Sequence, residues 1–177
     1  MNITVYLGAC EGCDPQLKQA VRELGIWIGT SGNSLVYGGS KTGLMGELAL
    51  AALEAGAEVT GVEPQFFVDS VLQLEGLTRL IVTPDIAERK AKMIELGDAF
   101  VAFPGGTGTL EEISQIMSMI GLGQLDAPCV FYNLNGYYNP MAEQLDRMLA
   151  CDLTSPERLQ GISFARNLDE LVACLQA

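Results

Sequence analysis

Apolar residues along the chain fall into two alternating rhythms. Short, mostly apolar runs of strand length recur at Ile3 to Leu7, Ser34 to Tyr37, Glu58 to Val62, Thr78 to Val82, Ala99 to Phe103, Cys129 to Tyr132 and Ile162 to Ala165. Between them, apolar side chains return at helical spacing. Leu17, Ala20, Val21, Leu24 and Ile28 form one such face, and an alanine-rich stretch opens at Leu44 and runs to Gly56. Further helical stretches hold Ile86 to Met93, then Leu110, Ile113, Ile116, Met117 and Ile120, then Asn139 to Cys151 and Leu168 to Leu175. Strands that alternate with helices predict a parallel sheet covered on both faces, a doubly wound, Rossmann-like α/β domain spanning residues 1–177. The stretch from Phe66 to Gly76 follows neither rhythm, and reads as a short helix or a lid.

The densest chemistry lies between Asp98 and Glu112, DAFVAFPGGTGTLEE. A buried strand runs into Pro104-Gly105-Gly106-Thr107-Gly108-Thr109, and a helix is expected to start near Thr109. Strand, glycine turn and helix start present unsatisfied N–H groups and a positive dipole end to an anion, for which a phosphate is the natural occupant. Glu112 has two readings. Thr109-Leu110-Glu111-Glu112 fits a capping box, with Thr109 as N-cap and Glu112 reaching back to its N–H; alternatively Glu112 is a catalytic carboxylate. Two further glycine-bearing turns, Gly8 to Gly12 and Gly38 to Gly46, fall at carboxyl ends of strands, where ligands of such sheets sit. Their spacing departs from the dinucleotide fingerprint, which favours a mononucleotide over NAD.

Charge narrows the partners. The chain carries 22 acids against 10 bases, a net charge of −12, which argues against a nucleic-acid or anionic-membrane surface. No apolar run approaches the roughly 20 residues of a membrane span, and the start Met1-Asn2-Ile3-Thr4 lacks a signal peptide's charged region, so a cytoplasmic protein is expected. The five cysteines are too scattered for a disulfide framework. Cys10-Glu11-Gly12-Cys13 is a single CxxC in a chain without histidine, read as two loop thiols rather than a zinc or redox site.

Several motifs then coincide. Pro104 to Glu112 matches the PGGxGTxxE motif of the LOG (Lonely Guy) family, and Glu88-Arg89-Lys90 with Met93 matches the segment that precedes it there. Tyr37-Gly38-Gly39 with Gly43-Leu44-Met45-Gly46 resembles the family's YGGGxxGLMG turn, and Asn135-Gly136-Tyr137-Tyr138 its later NxxGYY segment. The resemblance covers most of the chain, from the first strand past Tyr138. It implies a cytokinin riboside 5′-monophosphate phosphoribohydrolase, which cleaves a nucleoside 5′-monophosphate to purine base and ribose 5-phosphate. It also implies a homodimer, and neither a metal nor an organic cofactor.

By position, the resemblance assigns catalysis to Arg89 and Glu112. Substrate binding falls to Gly8, Ala9, Gly38, Gly39, Met45, Lys90, Met93, Gly105, Gly106, Thr107, Gly108, Thr109 and Glu111, with Gly105 to Thr109 holding the 5′-phosphate. An oriented carboxylate suits this reaction, because loss of a base from ribose builds positive charge on C1′ and the ring oxygen. A guanidinium can pair with that carboxylate or with phosphate.

The family's CGSS reads Leu7-Gly8-Ala9-Cys10 here, its usual aromatic in PGGYGT is Thr107, and its histidine before ERK is Ala87. A glutamate usual after the third strand falls at Val71, with Asp69 and Glu75 nearby, and a frequent tryptophan is Met119. Chemistry residues are kept while pocket walls differ. Two other functions compete: a carrier of the same fold that holds a phosphate without cleaving anything, and a pyridoxal phosphate-dependent lysine decarboxylase. The second needs a Schiff-base lysine, and none of Lys18, Lys41, Lys90 and Lys92 sits in a recognisable cofactor motif. Met117, Met119, Ile120 and Leu122 exceed what one helix face must bury, the expected site of dimer contact.

Overall fold

The chain builds its sheet outward from β1 twice, first to one side and then to the other. In the computed structural model, which describes residues 1–176, the strands are β1 (Asn2–Tyr6), β2 (Ser34–Tyr37), β3 (Val59–Pro64), β4 (Arg79–Thr83), β5 (Ala99–Ala102), β6 (Cys129–Tyr132) and β7 (Ile162–Ala165). They lie in the order β4-β3-β2-β1-β5-β6-β7, all neighbours parallel, with Tyr6 level with Ala102 and Tyr37 level with Gly61. The order reverses between β1 and β5, so a crevice opens beyond the carboxyl ends of those two strands.

The helices are α1 (Pro15–Thr30), α2 (Gly43–Glu54), α3 (Gln65–Asp69), α4 (Ile86–Leu96), α5 (Thr107–Gly121), α6 (Asn139–Ala150) and α7 (Leu168–Leu175). On one face, Val21, Leu24 and Ile28 of α1, Leu44 and Leu48 of α2, and Leu171 and Leu175 of α7 pack on Ile3, Val5, Leu35, Val59, Val101 and Val130. On the other, Met93 of α4 and Ile113 and Ile116 of α5 pack on Val36, Val62, Phe100 and Phe131. Two faces covered by helices explain why the strands read as apolar runs rather than as alternating ones. Every expected strand and helix is present, with ends displaced by a residue or two. Start signals worked where a side chain can reach the free amides: Asp14 accepts from Gln16 N at 2.9 Å, Asp85 from Glu88 N and Asn167 from Glu170 N, each also at 2.9 Å.

The stretch that followed no rhythm is α3 and the strand-like segment after it. Lys41 N donates to Leu72 O at 2.8 Å and Leu74 N to Gly39 O at 2.9 Å, so this segment straps across the turn after β2. One antiparallel bridge, Ser40 to Gln73, is too short to announce itself as a strand.

Close approach of backbones sets the spacing of α1 and α2. A Cβ on Gly25 would lie 2.6 Å from Leu48 O and 2.9 Å from the Ala51 Cβ. Gly25→Ala should therefore lower stability by about 1–3 kcal/mol in urea unfolding, although alanine is intrinsically the better helix former. A stabilised Gly25→Ala protein would show that the two helices can separate freely.

Candidate active site

Beyond the carboxyl ends of β1, β2 and β5 lies a cavity of about 350 Å³. Its floor is formed by Val5, Tyr6 and Leu7. Ala9, Gly38 and Met45 come from the first two glycine turns, Phe67 from α3, Ile86, Arg89, Lys90 and Met93 from α4, and Gly106 to Thr109, Glu111 and Glu112 from α5. The structure thus brings together most of the residues singled out by sequence. Gly8, Gly39 and Gly105 stand one layer behind. Gly8 N and Pro104 O meet at 3.4 Å, and a Cβ on Gly105 would collide with the Thr109 hydroxyl and lie 2.8 Å from Gly8 N. Only a glycine at position 105 lets the turns after β1 and β5 touch.

The start of α5 corrects the sequence reading. The helix begins at Thr107, not Thr109, and its N-cap is Gly106, which has no side chain to offer the first amides. Thr109 is therefore inside the helix, and Glu112 does not fold back on it as a capping box would require. Glu112 instead meets Arg89 of α4, whose Nη1 donates to Glu112 Oε1 at 2.6 Å. A buried guanidinium is a stronger partner for a carboxylate than a solvated amide, so the tertiary contact wins over the local motif. What is left at the helix start is a set of first-turn N–H groups with no side-chain cap, on residues that border the cavity.

The carbonyls of this turn are tied down from the opposite side. The Tyr137 hydroxyl donates to Gly105 O at 2.6 Å and the Tyr138 hydroxyl to Phe103 O at 2.9 Å, while Asn133 Oδ1 accepts from Tyr138 N at 2.6 Å. The Asn-x-x-Gly-Tyr-Tyr segment thus buttresses the turn rather than lining the cavity.

Arg89 is fixed on a second side by its Nε, which donates to Val62 O at 2.9 Å, and a Cβ on Gly38 would lie 2.5 Å from its Nη2. The Arg89 and Glu112 side chains are 9% and 11% exposed, so the pair is largely out of water yet borders the cavity. Burial pushes the Glu112 carboxyl above the usual carboxylate range, and the Arg89 charge pulls it back only in part. Lys90 Nζ lies 2.6 Å from Glu111 Oε1 at the more open rim.

Sequence reasoning missed the floor and one wall. Val5, Tyr6, Leu7 and Ile86 read as core positions, and Phe67 sat in the unassigned stretch; strand-end position beside the glycine turns was the available signal. Cys10 and Cys13 are both exposed on the loop after β1. Asp69, Val71 and Glu75, weighed as stand-ins for a family glutamate, are not among the cavity's residues.

A different carboxylate is the surprise. Glu63, at the end of β3, is fully buried against Gly39, and neither of its oxygens has a hydrogen-bond partner among the described residues; the same holds for the Tyr37 hydroxyl. Burial raises the Glu63 carboxyl, with Arg89 opposing.

An α/β sheet with touching glycine turns, an uncapped helix start and a buried carboxylate–guanidinium pair defines a Rossmann-like protein with an anion-receptive cavity at its switch point. A family model described as a possible lysine decarboxylase matches residues 45–175. The cytokinin riboside 5′-monophosphate phosphoribohydrolase of Rhodococcoides fascians is 37% identical, the match covering 99% of this chain and 89% of that protein. A protein of the same description from Arabidopsis thaliana is 34% identical, over 99% and 77%. The chain belongs to the LOG (Lonely Guy) family. Among solved structures, the Moco carrier protein of Chlamydomonas reinhardtii superposes with a TM-score of 0.73 at 23% identity, covering 99% of this chain and 94% of that one. That likeness establishes the shared fold alone.

Glu63 generates a test of the site's electrostatics. An acid whose folded value is raised costs the fold little below its unfolded value and progressively more as pH climbs above it. Glu63→Gln should change Tm least at pH 4 and raise it at pH 8, each 1 kcal/mol appearing as about 2–4 °C. The same shift at both pH values would mean that Glu63 does not change charge between them.

Proposed function

We propose that the protein hydrolyses the N-glycosidic bond of a purine nucleoside 5′-monophosphate, AMP or an N6-modified AMP, releasing free base and ribose 5-phosphate. The observation that carries this reading is the Arg89–Glu112 pair bordering the same cavity as the uncapped start of α5. The names of the relatives, phosphoribohydrolases across nearly the whole chain, support it.

In this reading the 5′-phosphate rests on the amides of Gly106 to Thr109, where the dipole and free N–H groups favour an anion. Glu112, held by Arg89, faces the positive charge that develops on C1′ and the ring oxygen as the base departs, and orients the attacking water. Met45, Phe67, Ile86 and Met93 offer an apolar wall to a purine face. Lys90 and Glu111, paired at the rim, bind substrate from the side. A cavity of about 350 Å³ lies within the roughly 300–1,000 Å³ of small-molecule sites. Catalysis needs no metal or organic cofactor in this scheme. For the decarboxylase suggested by the family model's description, the cavity supplies one lysine, Lys90, already paired with Glu111.

The protein acts in the cytoplasm, in line with its net charge of −12 and with the finding that no helix among the described residues is long and apolar enough to cross a membrane. It works as a homodimer. Of the side chains expected at the interface, Leu122 is exposed, whereas Met117, Met119 and Ile120 are half-buried, Met117 and Ile120 against the α4–α5 core. The contact would therefore centre on the carboxyl end of α5 and extend beyond those four residues. Light scattering at micromolar concentration should return twice the 18.9 kDa chain mass; the single-chain mass would refute the dimer.

Glu112→Gln removes the charge at nearly constant shape. It should fold, still bind AMP, and lose about 10²–10³-fold in kcat for adenine release, read by chromatography. Because burial raises the Glu112 carboxyl, the acid limb of kcat/KM should lie above the usual glutamate value. Hydrolysis within a few-fold of the unaltered protein would hand the molecule to the carrier reading.

A further inference from the structure

Cleavage of a purine from ribose leaves an electron pair on N9, and an unassisted purine anion is a poor leaving group. General acid help at the base is the usual remedy, and the chain has no histidine to give it. The hydrogen donors bordering the cavity can be taken in turn. Arg89 spends its Nε on Val62 O and its Nη1 on Glu112, and Lys90 Nζ is held by Glu111, so both cations are already turned to acceptors of their own. Thr107 and Thr109 belong to the helix start that receives the phosphate, and the Thr109 hydroxyl is pressed against Gly105. Tyr6 remains.

Tyr6 ends β1, the central strand beside the switch point, and forms part of the cavity floor. Its ring is 2% exposed and lies parallel to that of Phe100, with ring centres 6.4 Å apart and planes 11° from one another. The sheet therefore fixes the ring, while none of the side-chain hydrogen bonds around the cavity among the described residues uses the hydroxyl. Burial and the negative charge of Glu112 keep the phenol protonated, and so a donor, against a weaker opposing pull from Arg89. A rigid, protonated, uncommitted hydroxyl on the floor of the cavity, within the field of the catalytic carboxylate, is an arrangement made for a substrate atom.

We propose that Tyr6 is a further catalytic residue, donating its hydroxyl hydrogen to a ring nitrogen of the departing purine. This rests on the glycosidase reading above. As the C1′–N9 bond breaks, its electron pair moves onto the base, and the Tyr6 hydrogen bond stabilises the charge gathering there. Where the hydrogen transfers fully, solvent returns one to the phenolate. Water supplies the oxygen that bonds to C1′ and gives one proton to Glu112, which releases it to solvent. The sum is AMP plus water giving adenine and ribose 5-phosphate.

Tyr6→Phe keeps the ring and its packing on Phe100 and removes only the hydroxyl. Two substrates separate leaving-group help from general positioning: AMP, and 4-nitrophenyl β-ribofuranoside 5-phosphate, whose nitrophenolate leaves without a proton. The variant should lose about 10²-fold or more in kcat on AMP and keep most of its rate on the nitrophenyl compound. Ribose 5-phosphate should bind both proteins equally, which shows the phosphate site intact. Equal losses on the two substrates would assign Tyr6 to ribose positioning and overturn the proposal, as would an undiminished rate on AMP. Should the unaltered protein cleave neither compound, the glycosidase reading itself fails, an outcome distinct from the other two.

Discussion

The Arg89 guanidinium is the fixed point on which the cavity depends. Its Nε is spent on the Val62 carbonyl, its Nη1 on Glu112, and its Nη2 lies over Gly38, so one side chain from α4 joins β3, α5 and the turn after β2. A pair this deeply buried recovers its desolvation cost only through close, charge-assisted contacts of this kind. Removing one partner of a buried pair typically costs about 3–5 kcal/mol, because it strands the other charge. The pair therefore defines the distance between α4 and α5, and with it the width of the cavity. The contact that braces these elements is also the one that shapes the cavity, which limits how either could change without the other.

Around that point the site is assembled mostly from backbone. Gly8 against Pro104 and Gly105, and the tyrosine hydroxyls on Phe103 O and Gly105 O, leave the amides of the α5 start oriented before any ligand arrives. Preorganised dipoles need no rearrangement at the moment of reaction, which makes them effective.

What the sequence revealed and what it hid follow from the range of the interactions. Strands and helices were legible because a sheet buried on both faces prints its periodicity into the chain, and Asp14, Asp85 and Asn167 cap helices within three residues of themselves. The Arg89–Glu112 association was legible only through family motifs. The capping-box reading of Thr109 and Glu112 failed because a partner 23 positions away outcompeted the local amide. Glu63 was invisible as a site feature: one acid at the end of an apolar strand gives no sign that it will be buried without a partner. Phe67 escaped because α3 is only five residues long and carries no cap signal.

The close contact of α1 with α2 has a consequence for how this scaffold can diversify. Backbone meets backbone where Gly25 faces Leu48, and again where Gly43 faces the Ala9 carbonyl, so the two helices and the turns that precede them behave as one rigid jaw. The facing jaw is built differently. Phe67 rides on a short helix, and a strap held by two hydrogen bonds follows it. Substitutions on the first jaw disturb the framework, whereas those on the second reshape the cavity wall that Phe67 forms. The cavity can thus change its lining on that second side while the framework under it stays the same.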